Sequence, residues 1–570
     1  MKVSFHPSVT FLILFSNSFF SFSQAGRIPI PAKNGMVVSA HFLASDVGNK
    51  ILEKGGNAID AAVATAFALA VTYPGAGNIG GGGFLVYYGN EGQTTSFNFR
   101  EKAPLAARVD MYLDENKKLK QNSNLEGLLS VGVPGTVAGL FMAHKKLGKL
   151  KWQDLLSPAI ELAEKGSATS WFRAAFLEFI RSNKNKFPST ASVFLKNGQD
   201  LYNPGEIWKQ QDLANSLKRI QKYGADGFYK GETARLIVDF MKANGGLITH
   251  EDLELYRAEE LMPVHGVYRG YDIYSMAPPS SGGILLIEML NMLEGFDLKK
   301  MGHNSAMYLH ILTEVMRRAY ADRAEFLGDP NFNKAIPVKK LISKTHAEKL
   351  RSTINWFQSS VSDSSLFSAA HLINESNETT HLSVTDKAGN AVSLTYTLGT
   401  GFGSKIVVAG AGFLLNNEMS DFNAIPGITN SKGQIGTGPN LIAPEKRMLS
   451  SMAPTIVVKE AKPVIVIGTE GGRSIPNTVV QILLNIIEHK MNIGEAIEAP
   501  RIHHQWLPDS TSFYGIGISP DTKRLYEMMG HPVIEAGYRG LAMGIFIDRA
   551  KGIVYGAADT RSSEGKAVGY

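Results

Sequence analysis

The sequence predicts a mixed fold of helices and strands, of the α/β or α+β class. Runs rich in Val, Ile, Thr and aromatic residues, which are typical of strands, occur in both halves of the chain. Segments with apolar residues at helical spacing lie between them and dominate residues 134–260. The chain has 570 residues, of which 44% are hydrophobic and 19% charged, so it can bury the core of one large unit or of two closely packed halves.

The first 23 residues have the pattern of a secretory signal peptide, with Lys2 before an apolar run at 9–15 and serines at positions 21 and 23. The run is shorter than the ~20 residues of a membrane span. We therefore expect a secreted protein without a membrane span. Because the chain has no cysteine, and so no disulfides, the expected location is the periplasm if the source is a Gram-negative bacterium.

The charge pattern argues against a nucleic-acid partner. The formal net charge of +6 is small for this length, and the sequence has no basic run with interleaved aromatic residues.

The first elements of the mature chain are a strand at 36–40 and two helices. Ser45-Asp46 is the expected cap of the first helix, and the second helix follows Asn57 and stops at Pro74-Gly75. Glycines then occupy positions 80–83. They do not form a phosphate-binding loop, because no Gly-Lys-Ser/Thr follows and the next element is a strand. They predict close backbone packing beside a site.

Two further segments lie before residue 379, in the middle of the chain. Ser281 precedes an apolar helix at 284–293 and is predicted to cap it, because the Gly-x-Ser-x-Gly pattern of a serine nucleophile is absent. The polar segment 359–378 is expected to be an exposed linker, where a chain can be cut and its ends separate.

Residues 379–397 predict a hairpin that opens on Thr379, with two runs of strand-forming residues around a short turn. Two strands at 455–458 and 463–468 follow, and a Gly-Gly turn leads from them into a helix at 478–488. The backbone N–H groups of such a turn are suited to holding an oxyanion.

Thr379 is a candidate nucleophile provided that the chain is cut between Glu378 and Thr379. A threonine hydroxyl alone is a weak nucleophile, but an N-terminal threonine carries its own base, an α-amine with a pKa near ~8. An internal threonine has a planar amide in that place. The Thr-Thr pattern by itself is also typical of an ordinary strand.

Three longer runs, at 378–384, 412–422 and 449–455, resemble the γ-glutamyltranspeptidase family of N-terminal-nucleophile hydrolases. The resemblance extends from about Gly35 to Tyr570. It implies a four-layer αββα sandwich formed by two chains cut from one precursor. The implied parts are a signal peptide (1–23), a large subunit (24–378) and a small subunit (379–570).

The resemblance also assigns roles to individual residues. It implies Thr379 as the nucleophile with Thr397 as its supporting hydrogen-bond partner, and an oxyanion hole formed by the N–H groups of Gly471 and Gly472. Arg100 is implied to bind the α-carboxylate of the γ-glutamyl donor, the substrate of this family, and the guanidinium fork suits a carboxylate. The other implied donor-binding residues are two hydroxyl donors to that carboxylate, Ser450 and Ser451, and two acids that hold the α-ammonium, Glu418 and Asp421.

Most of these residues, taken singly, also fit an ordinary structural role. Their joint occurrence in family order and spacing argues against that interpretation. Arg100 next to Glu101 is typical of a surface ion pair. The serines at 450–451 are also typical turn formers, and the glycines at 471–472 are typical of a plain turn.

Three histidines could suggest a catalytic base or a zinc site. His381 lies two residues after Thr379 on the predicted strand and so on the same face, but the α-amine already fills the role of base. His503-His504 suggests zinc, yet adjacent residues rarely bind one ion together and no cysteine is available, so a structural role is predicted. We expect no metal or organic cofactor in the reaction.

The chain departs from the family pattern at three positions. Gly399 stands where many members have an asparagine near the α-amine, Glu470 precedes the glycine pair where proline is common, and Lys432 stands where some bacterial members place a lid tyrosine. Gly399 is expected to leave room for a water molecule, and Lys432 to close the site less tightly than an aromatic ring. A high ratio of hydrolysis to transfer is therefore expected.

The resemblance implies a self-cleaving enzyme that transfers the γ-glutamyl group of glutathione and related compounds to water, amino acids or peptides. One rival is an amide acylase of the same fold. Arg100, Glu418 and Asp421 argue against it, because together they fit an amino-acid headgroup. The other rival is an unprocessed, inactive secreted binding protein, which would remain a single chain.

Overall fold

The structure is a computed structural model that describes residues 27–120, 122–362, 379–431, 435–514, 517–537 and 539–570. Its strands are listed in chain order as β1 (Ile30–Ala32), β2 (Met36–Ser39), β3 (Gly82–Tyr88), β4 (Thr94–Phe99), β5 (Ser167–Ala168), β6 (Ile207–Trp208), β7 (Glu259–Leu261), β8 (Val264–Tyr268), β9 (Tyr271–Ser275), β10 (Thr380–Thr385), β11 (Ala391–Thr397), β12 (Thr455–Lys459), β13 (Lys462–Thr469), β14 (Arg501–His503), β15 (Thr511–Tyr514), β16 (Val533–Ala536), β17 (Ala542–Asp548), β18 (Ile553–Ala558) and β19 (Lys566–Gly569).

Fourteen of these strands form two antiparallel seven-stranded sheets. Sheet I has the order β1-β18-β17-β13-β12-β9-β8, and sheet II has the order β19-β2-β10-β11-β3-β4-β7. The sheets stack face to face, with β10 and β11 packed against β13. Two hydroxyl groups cross this interface, because Ser383 donates to the carbonyl of Met543 at 3.0 Å and Ser393 to that of Ile467 at 3.1 Å.

Helices cover the outer faces of both sheets. In chain order they are α1 (Phe42–Glu53), α2 (Ala58–Thr72), α3 (Thr136–Leu147), α4 (Trp152–Lys165), α5 (Trp171–Ser182), α6 (Pro188–Phe194), α7 (Gln211–Tyr223), α8 (Asp226–Tyr229), α9 (Gly231–Ala243), α10 (His250–Leu255), α11 (Gly282–Leu293), α12 (Leu298–Met301), α13 (Ala306–Phe326), α14 (Val338–Leu341), α15 (Lys344–Arg351), α16 (Ile475–Ile487), α17 (Ile493–Glu498) and α18 (Pro520–Met528). Helices α1 and α2 pack on sheet II, and α11, α16 and α17 on sheet I. The predicted αββα sandwich is therefore confirmed.

The hairpin of β10 and β11 lies in the middle of sheet II, and all its strand residues are buried. The Asp386 carboxylate closes its turn by accepting from the N–H groups of Ala388 and Asn390, and it also accepts from the N–H of Ala58 at 2.9 Å. That last bond joins the turn to the start of α2, so the hairpin and its covering helix are held in one register.

Two local predictions hold and three are corrected. Helix α2 begins after Asn57, which forms a capping box with Asp60, and the backbone of the glycine run packs closely on β11: a Cβ on Gly81 would overlap the Thr397 carbonyl. By contrast, α1 begins earlier than predicted, because the imidazole of His41 caps it and Ser45 lies inside the helix.

The other two corrections lie at α11 and α16. Ser281 precedes α11 but its hydroxyl does not cap the helix; it donates instead to the carbonyl of Ser450 at 2.7 Å. Helix α16 begins at Ile475, three residues before the predicted start, because Pro476 sits in its first turn, where a missing N–H costs no hydrogen bond.

The predicted signal peptide (1–23) and residues 363–378 of the predicted linker, with Glu378, lie outside the described residues. Residues 359–362 are anchored, since the N–H of Ser359 donates to the carbonyl of Met529 and that of Ser362 to Asp509, both at 2.7 Å. Among the helices of the described ranges, none is long and apolar enough to cross a membrane.

Candidate active site

A narrow cleft of about 320 Å³ opens at the start of β10. The residues that line it come from the strand ends of both sheets, the chain after β11, helix α13 and the start of α16. They are Arg100, Arg323, Thr379, Thr397, Glu418, Asp421, Ser450, Ser451, Met452, Gly472, Arg473 and Ile475. Eight of the nine residues predicted as catalytic or donor-binding are among them. The ninth, Gly471, directly precedes Gly472.

Thr379 and Thr397 lie on neighbouring strands at one end of the hairpin. Thr380 pairs with Tyr396, so one further step of the antiparallel register places Thr379 opposite Thr397. Both side chains are almost completely buried, with 3% of each residue exposed. The Thr397 hydroxyl oxygen accepts from the N–H of Gly399 at 2.8 Å, which fixes its orientation beside Thr379.

Arg100 is the centre of a buried charge cluster. Its guanidinium is 1% exposed and lies 2.6 Å from a carboxylate oxygen of Glu418; it also makes a close ion pair with Asp421 and lies 3.4 Å from Glu101. Arg100 is therefore not the partner in a surface ion pair. The fold brings Arg100 together with Glu418 and Asp421 beside Thr379, although both acids lie more than 300 positions after Arg100 in the sequence.

Burial sets the charge of this cluster. It opposes ionisation of Arg100, but the three carboxyl groups outweigh it and raise the pKa of Arg100. Burial also raises the pKa of Glu101 to about 7 and that of Glu418 well above its ordinary value, although Arg100 lowers both. Apart from the guanidinium of Arg100 at 2.6 Å, no residue in the described part of the chain donates to the carboxylate of Glu418. The cluster is thus rich in carboxyl groups and short of donors.

Ser450 and Ser451 lie against the start of α11. Ser450 accepts through its hydroxyl oxygen from the N–H of Met452 at 3.1 Å, and Ser451 accepts from the guanidinium of Arg323 at 3.1 Å. The same guanidinium donates to the hydroxyl of Ser281 at 3.0 Å. Arg323 was not predicted as a site residue, and an arginine within a long helix gives no sequence signal for this position.

The glycine pair forms the turn between β13 and α16. Gly471 has φ +124° and Gly472 has φ +57°, and the hydroxyl of Ser474 donates to the carbonyl of Gly471 at 2.8 Å. The first N–H groups of a helix lack partners inside the helix, so a turn at this end presents donors to the cleft. Arg473, the next residue, also lines the cleft and was not predicted.

The three histidines considered above have structural contacts. His381 is fully buried and its two ring nitrogens lie 2.8 Å from the Thr395 hydroxyl and 3.0 Å from that of Ser383. Burial lowers its pKa to about 3, so it is neutral. His503 contacts the amides of Asn477 and Gln505, at 2.7 and 2.9 Å.

His504 contacts Asp509 at 3.2 Å and accepts from the N–H of Trp506. His503 is held by two amides and His504 by Asp509 and the N–H of Trp506, so the two imidazoles are not directed at a common metal position. The contacts agree with the predicted structural role.

The three departures from the family pattern differ in outcome. Gly399 leaves no room for a water molecule: a Cβ at this position would overlap the side-chain oxygen of Asn417, which accepts from the N–H of Thr400 at 2.8 Å. The expected space is therefore filled by Asn417. Glu470 directly follows β13, and Lys432 lies outside the described residues.

The four-layer sandwich, with a cleft at the start of a central strand, defines an enzyme of the N-terminal-nucleophile hydrolase class. The chain belongs to the γ-glutamyltranspeptidase family, because the family model described as Gamma-glutamyltranspeptidase matches residues 44–569. The predicted family and fold class are confirmed.

Close relatives cover nearly the whole chain. It is 44% identical to a glutathione hydrolase proenzyme of Pseudomonas sp. (strain A14), over 97% of both chains. It is 45% identical to the glutathione hydrolase proenzyme of Escherichia coli (strain K12), over 95% of this chain and 93% of that one. Among solved structures, the cephalosporin acylase of Bacillus halodurans covers 98% of this chain and 99% of its own, with a TM-score of 0.84 and 26% identity.

Proposed function

We propose that the chain is a self-processing γ-glutamyltransferase and glutathione hydrolase. The observation that carries this proposal is the position of the Arg100 cluster in the same cleft as Thr379. A γ-glutamyl donor has an amide to be cleaved at one end and an α-ammonium and α-carboxylate at the other. The cleft offers a hydroxyl group for the first end and buried charges of both signs for the second.

The first step is cleavage of the precursor between Glu378 and Thr379, which gives a large chain of residues 24–378 and a small chain of residues 379–570. Cleavage converts the amide nitrogen of Thr379 into an α-amine, which is a base next to the hydroxyl. The hydrogen-bonded hydroxyl of Thr397 on the neighbouring strand supports the position of Thr379.

The headgroup of the donor is held by the Arg100 cluster. The guanidinium of Arg100 and the hydroxyls of Ser450 and Ser451 bind the α-carboxylate of the donor. The α-ammonium of the donor lies between Glu418 and Asp421. The carboxylate of Glu418 has only the guanidinium of Arg100 as a donor in the described part of the chain, so its other lone pairs can accept from the ammonium, which supplies three N–H donors. Bound in this way, the γ-glutamyl compound supplies hydrogen bonds to the carboxylate of Glu418, whose burial is otherwise costly.

The reaction then follows from the groups present. The Thr379 hydroxyl attacks the γ-carbonyl carbon while the α-amine takes its proton, and the N–H groups of Gly471 and Gly472 stabilise the oxyanion. The C–N bond breaks, the leaving amine takes the proton, and a γ-glutamyl ester remains on Thr379. Water or the amine of an amino acid or peptide then attacks this ester and releases the threonine hydroxyl.

An amide acylase is the second candidate, because the cephalosporin acylase structure is similar over nearly the whole chain. Matched amides separate the two. A glutaryl amide differs from a γ-glutamyl amide only in lacking the α-ammonium, and a 4-aminobutyryl amide only in lacking the α-carboxylate. A γ-glutamyltransferase should cleave the γ-glutamyl compound much faster than either, whereas equal or faster cleavage of the glutaryl amide would favour the acylase.

Processing and activity are tested together on purified protein. N-terminal sequencing of the fragments should read Thr-Thr-His-Leu from position 379, and glutamate should be released from glutathione. An uncut chain without turnover would instead favour the inactive binding protein. We also propose secretion, to the periplasm in a Gram-negative host, and cell fractionation with and without residues 1–23 tests this location.

A further inference from the structure

Three side chains that can bind a metal ion meet outside the cleft, where α11, α13 and α15 pack together. They are Glu288 on α11, Asp322 on α13 and His346 on α15, and their ligand atoms all lie within 4.8 Å of one another. The Nε2 atom of His346 lies 2.6 Å from Asp322 and 3.9 Å from Glu288. None of the three lines the cleft.

Glu288 is the unusual member of this group. It is completely buried, and neither of its carboxylate oxygens has a hydrogen-bond partner in the described part of the chain. An uncompensated buried carboxylate is among the most costly groups in a protein. A cation at this position would remove the cost, since it would balance the negative charge of both acids.

The chemistry of the three ligands selects the kind of cation. An imidazole together with two carboxylates suits zinc and similar transition-metal ions, whereas calcium and magnesium prefer oxygen ligands alone. Ligand atoms about 2.0–2.1 Å from a tetrahedral zinc ion lie roughly 3.3 Å apart. The two distances from His346, 2.6 and 3.9 Å, lie on either side of this value.

We propose that Glu288, Asp322 and His346 form a binding site for a divalent transition-metal ion of the zinc type. Water or a second carboxylate oxygen completes its coordination. The ion can enter from solvent, because the side chains of Asp322 and His346 are 14% and 9% exposed. By linking three helices of one outer layer, it stabilises the fold and takes no part in the reaction of the cleft.

The test uses the processed enzyme with any affinity tag removed, since a histidine tag would bind the same ions. After removal of metal with EDTA and dialysis, the protein is titrated with Zn²⁺, and with Co²⁺ as a spectroscopic probe. We expect one ion per chain, visible absorption typical of low-symmetry Co²⁺ that Zn²⁺ abolishes, no displacement by excess Mg²⁺, and a higher Tm with Zn²⁺ than with EDTA.

Two variants locate the site. Glu288→Gln and His346→Asn should each lower the affinity for Zn²⁺ by at least ~100-fold, more than the ~10–100-fold that outer contacts of a metal site contribute. The matched control is His265→Asn, because His265 forms a comparable pair with Asp272, at 2.8 Å, on the surface of β8 and β9. It should bind Zn²⁺ as the wild type does.

The outcomes decide the proposal in each case. Absence of a stoichiometric site in the wild type overturns it, and so does unchanged affinity in either folded variant. If Glu288→Gln fails to fold, as judged by circular dichroism, His346→Asn decides. A metal-free group of a protonated Glu288, Asp322 and His346 would show neither Co²⁺ absorption nor a Zn²⁺-dependent Tm.

Discussion

The guanidinium of Arg323 lies 3.1 Å from the hydroxyl of Ser451, which it holds at the wall of the cleft. Because Arg323 also donates to Ser281, it joins α13 to the segment that precedes α11. We expect Arg323→Lys to fold and be processed, but to raise the KM for a γ-glutamyl donor about tenfold, because a hydrogen bond from a charged group contributes about 1.5–3 kcal/mol.

The readout that separates this positioning role from general damage is the comparison of substrates. The loss should be large for the γ-glutamyl amide and small for the 4-aminobutyryl amide, which has no α-carboxylate for Ser451 to contact. Equal losses on both would contradict a role in positioning Ser451. Arg235→Lys, at an exposed ion pair on α9, is the matched control.

Thr379→Ala should remain a single chain and be inactive, because it lacks the hydroxyl that both cleavage and turnover need. Thr379→Ser should still be cut and keep part of the activity, since it retains a hydroxyl and gains the same α-amine. A denaturing gel and glutamate release measure the two effects. Cleavage of the alanine variant at the same bond would show that processing is not autocatalytic.

Arg100→Lys should retain the positive charge among the buried acids and therefore the fold, but lose the planar fork that binds a carboxylate. We expect kcat/KM for γ-glutamyl-p-nitroanilide to fall by at least about 30-fold, equal to about 2 kcal/mol, the lower end for disrupting a buried charge pair. The corresponding 4-aminobutyryl anilide should be cleaved at an almost unchanged rate. A loss of the same size on that substrate would rule out the proposed contact.

Gly399→Asn should destabilise the protein rather than improve binding of the γ-glutamyl donor. The backbone at this position has φ +101°, and the new side chain would compete with Asn417 for the same space. We expect a loss of about 1–3 kcal/mol in the free energy of unfolding. Combining Gly399→Asn with Asn417→Gly should recover part of it, and a double-mutant cycle of chemical denaturation measures the coupling.

Acid should destabilise the fold through its buried neutral histidines. Burial lowers the pKa of His381 and of His503 to about 3 each, whereas the unfolded chain binds a proton near pH ~6.5. Between these values the unfolded state holds more protons, so stability is lost as the pH falls, by about 1.4 kcal/mol per pH unit for each histidine. Glu101, with a pKa raised to about 7, contributes in the opposite direction over pH ~4.5–7.

A comparison of variants isolates the histidine contribution. The free energy of unfolding from urea titrations at pH 6.5 and pH 5 should fall less steeply for His381→Gln than for the wild type, by an average of about 1.1 kcal/mol per pH unit, because the unfolded imidazole is only half protonated at pH 6.5. His250→Asn, at the exposed start of α10, should leave the slope unchanged. An identical slope in His381→Gln would mean that this imidazole has the same pKa in the folded and unfolded states.

Features determined by neighbouring residues could be predicted from the sequence. The start of α2 after Asn57 and the hairpin that follows Thr379 depend on residues a few positions apart, and both are present. The family resemblance supplied eight of the residues that line the cleft. It did not supply Arg323, whose partner Ser451 is 128 positions away, because only the packing of α13 brings them together.

Tertiary contacts also explain the predictions that failed. Ser281 has the sequence position of a helix cap, but its hydroxyl oxygen accepts from the guanidinium of Arg323 rather than from an N–H of its own helix, and its hydroxyl donates to the carbonyl of Ser450. Gly399 suggested an open space, but Asn417 fills it from a later segment. Propensity and spacing describe one segment at a time, so they cannot reveal a partner that arrives from elsewhere in the chain.

The order of the strands has a consequence for an enzyme cut before Thr379. In sheet II, β2 from the first fragment lies between β19 and β10 from the second, and in sheet I, β1 lies beside β18. The two fragments are therefore interwoven, and neither can leave without breaking the ladders of both sheets. After the peptide bond is lost, the fragments should still melt in a single transition, and their separation should require complete denaturation rather than dilution.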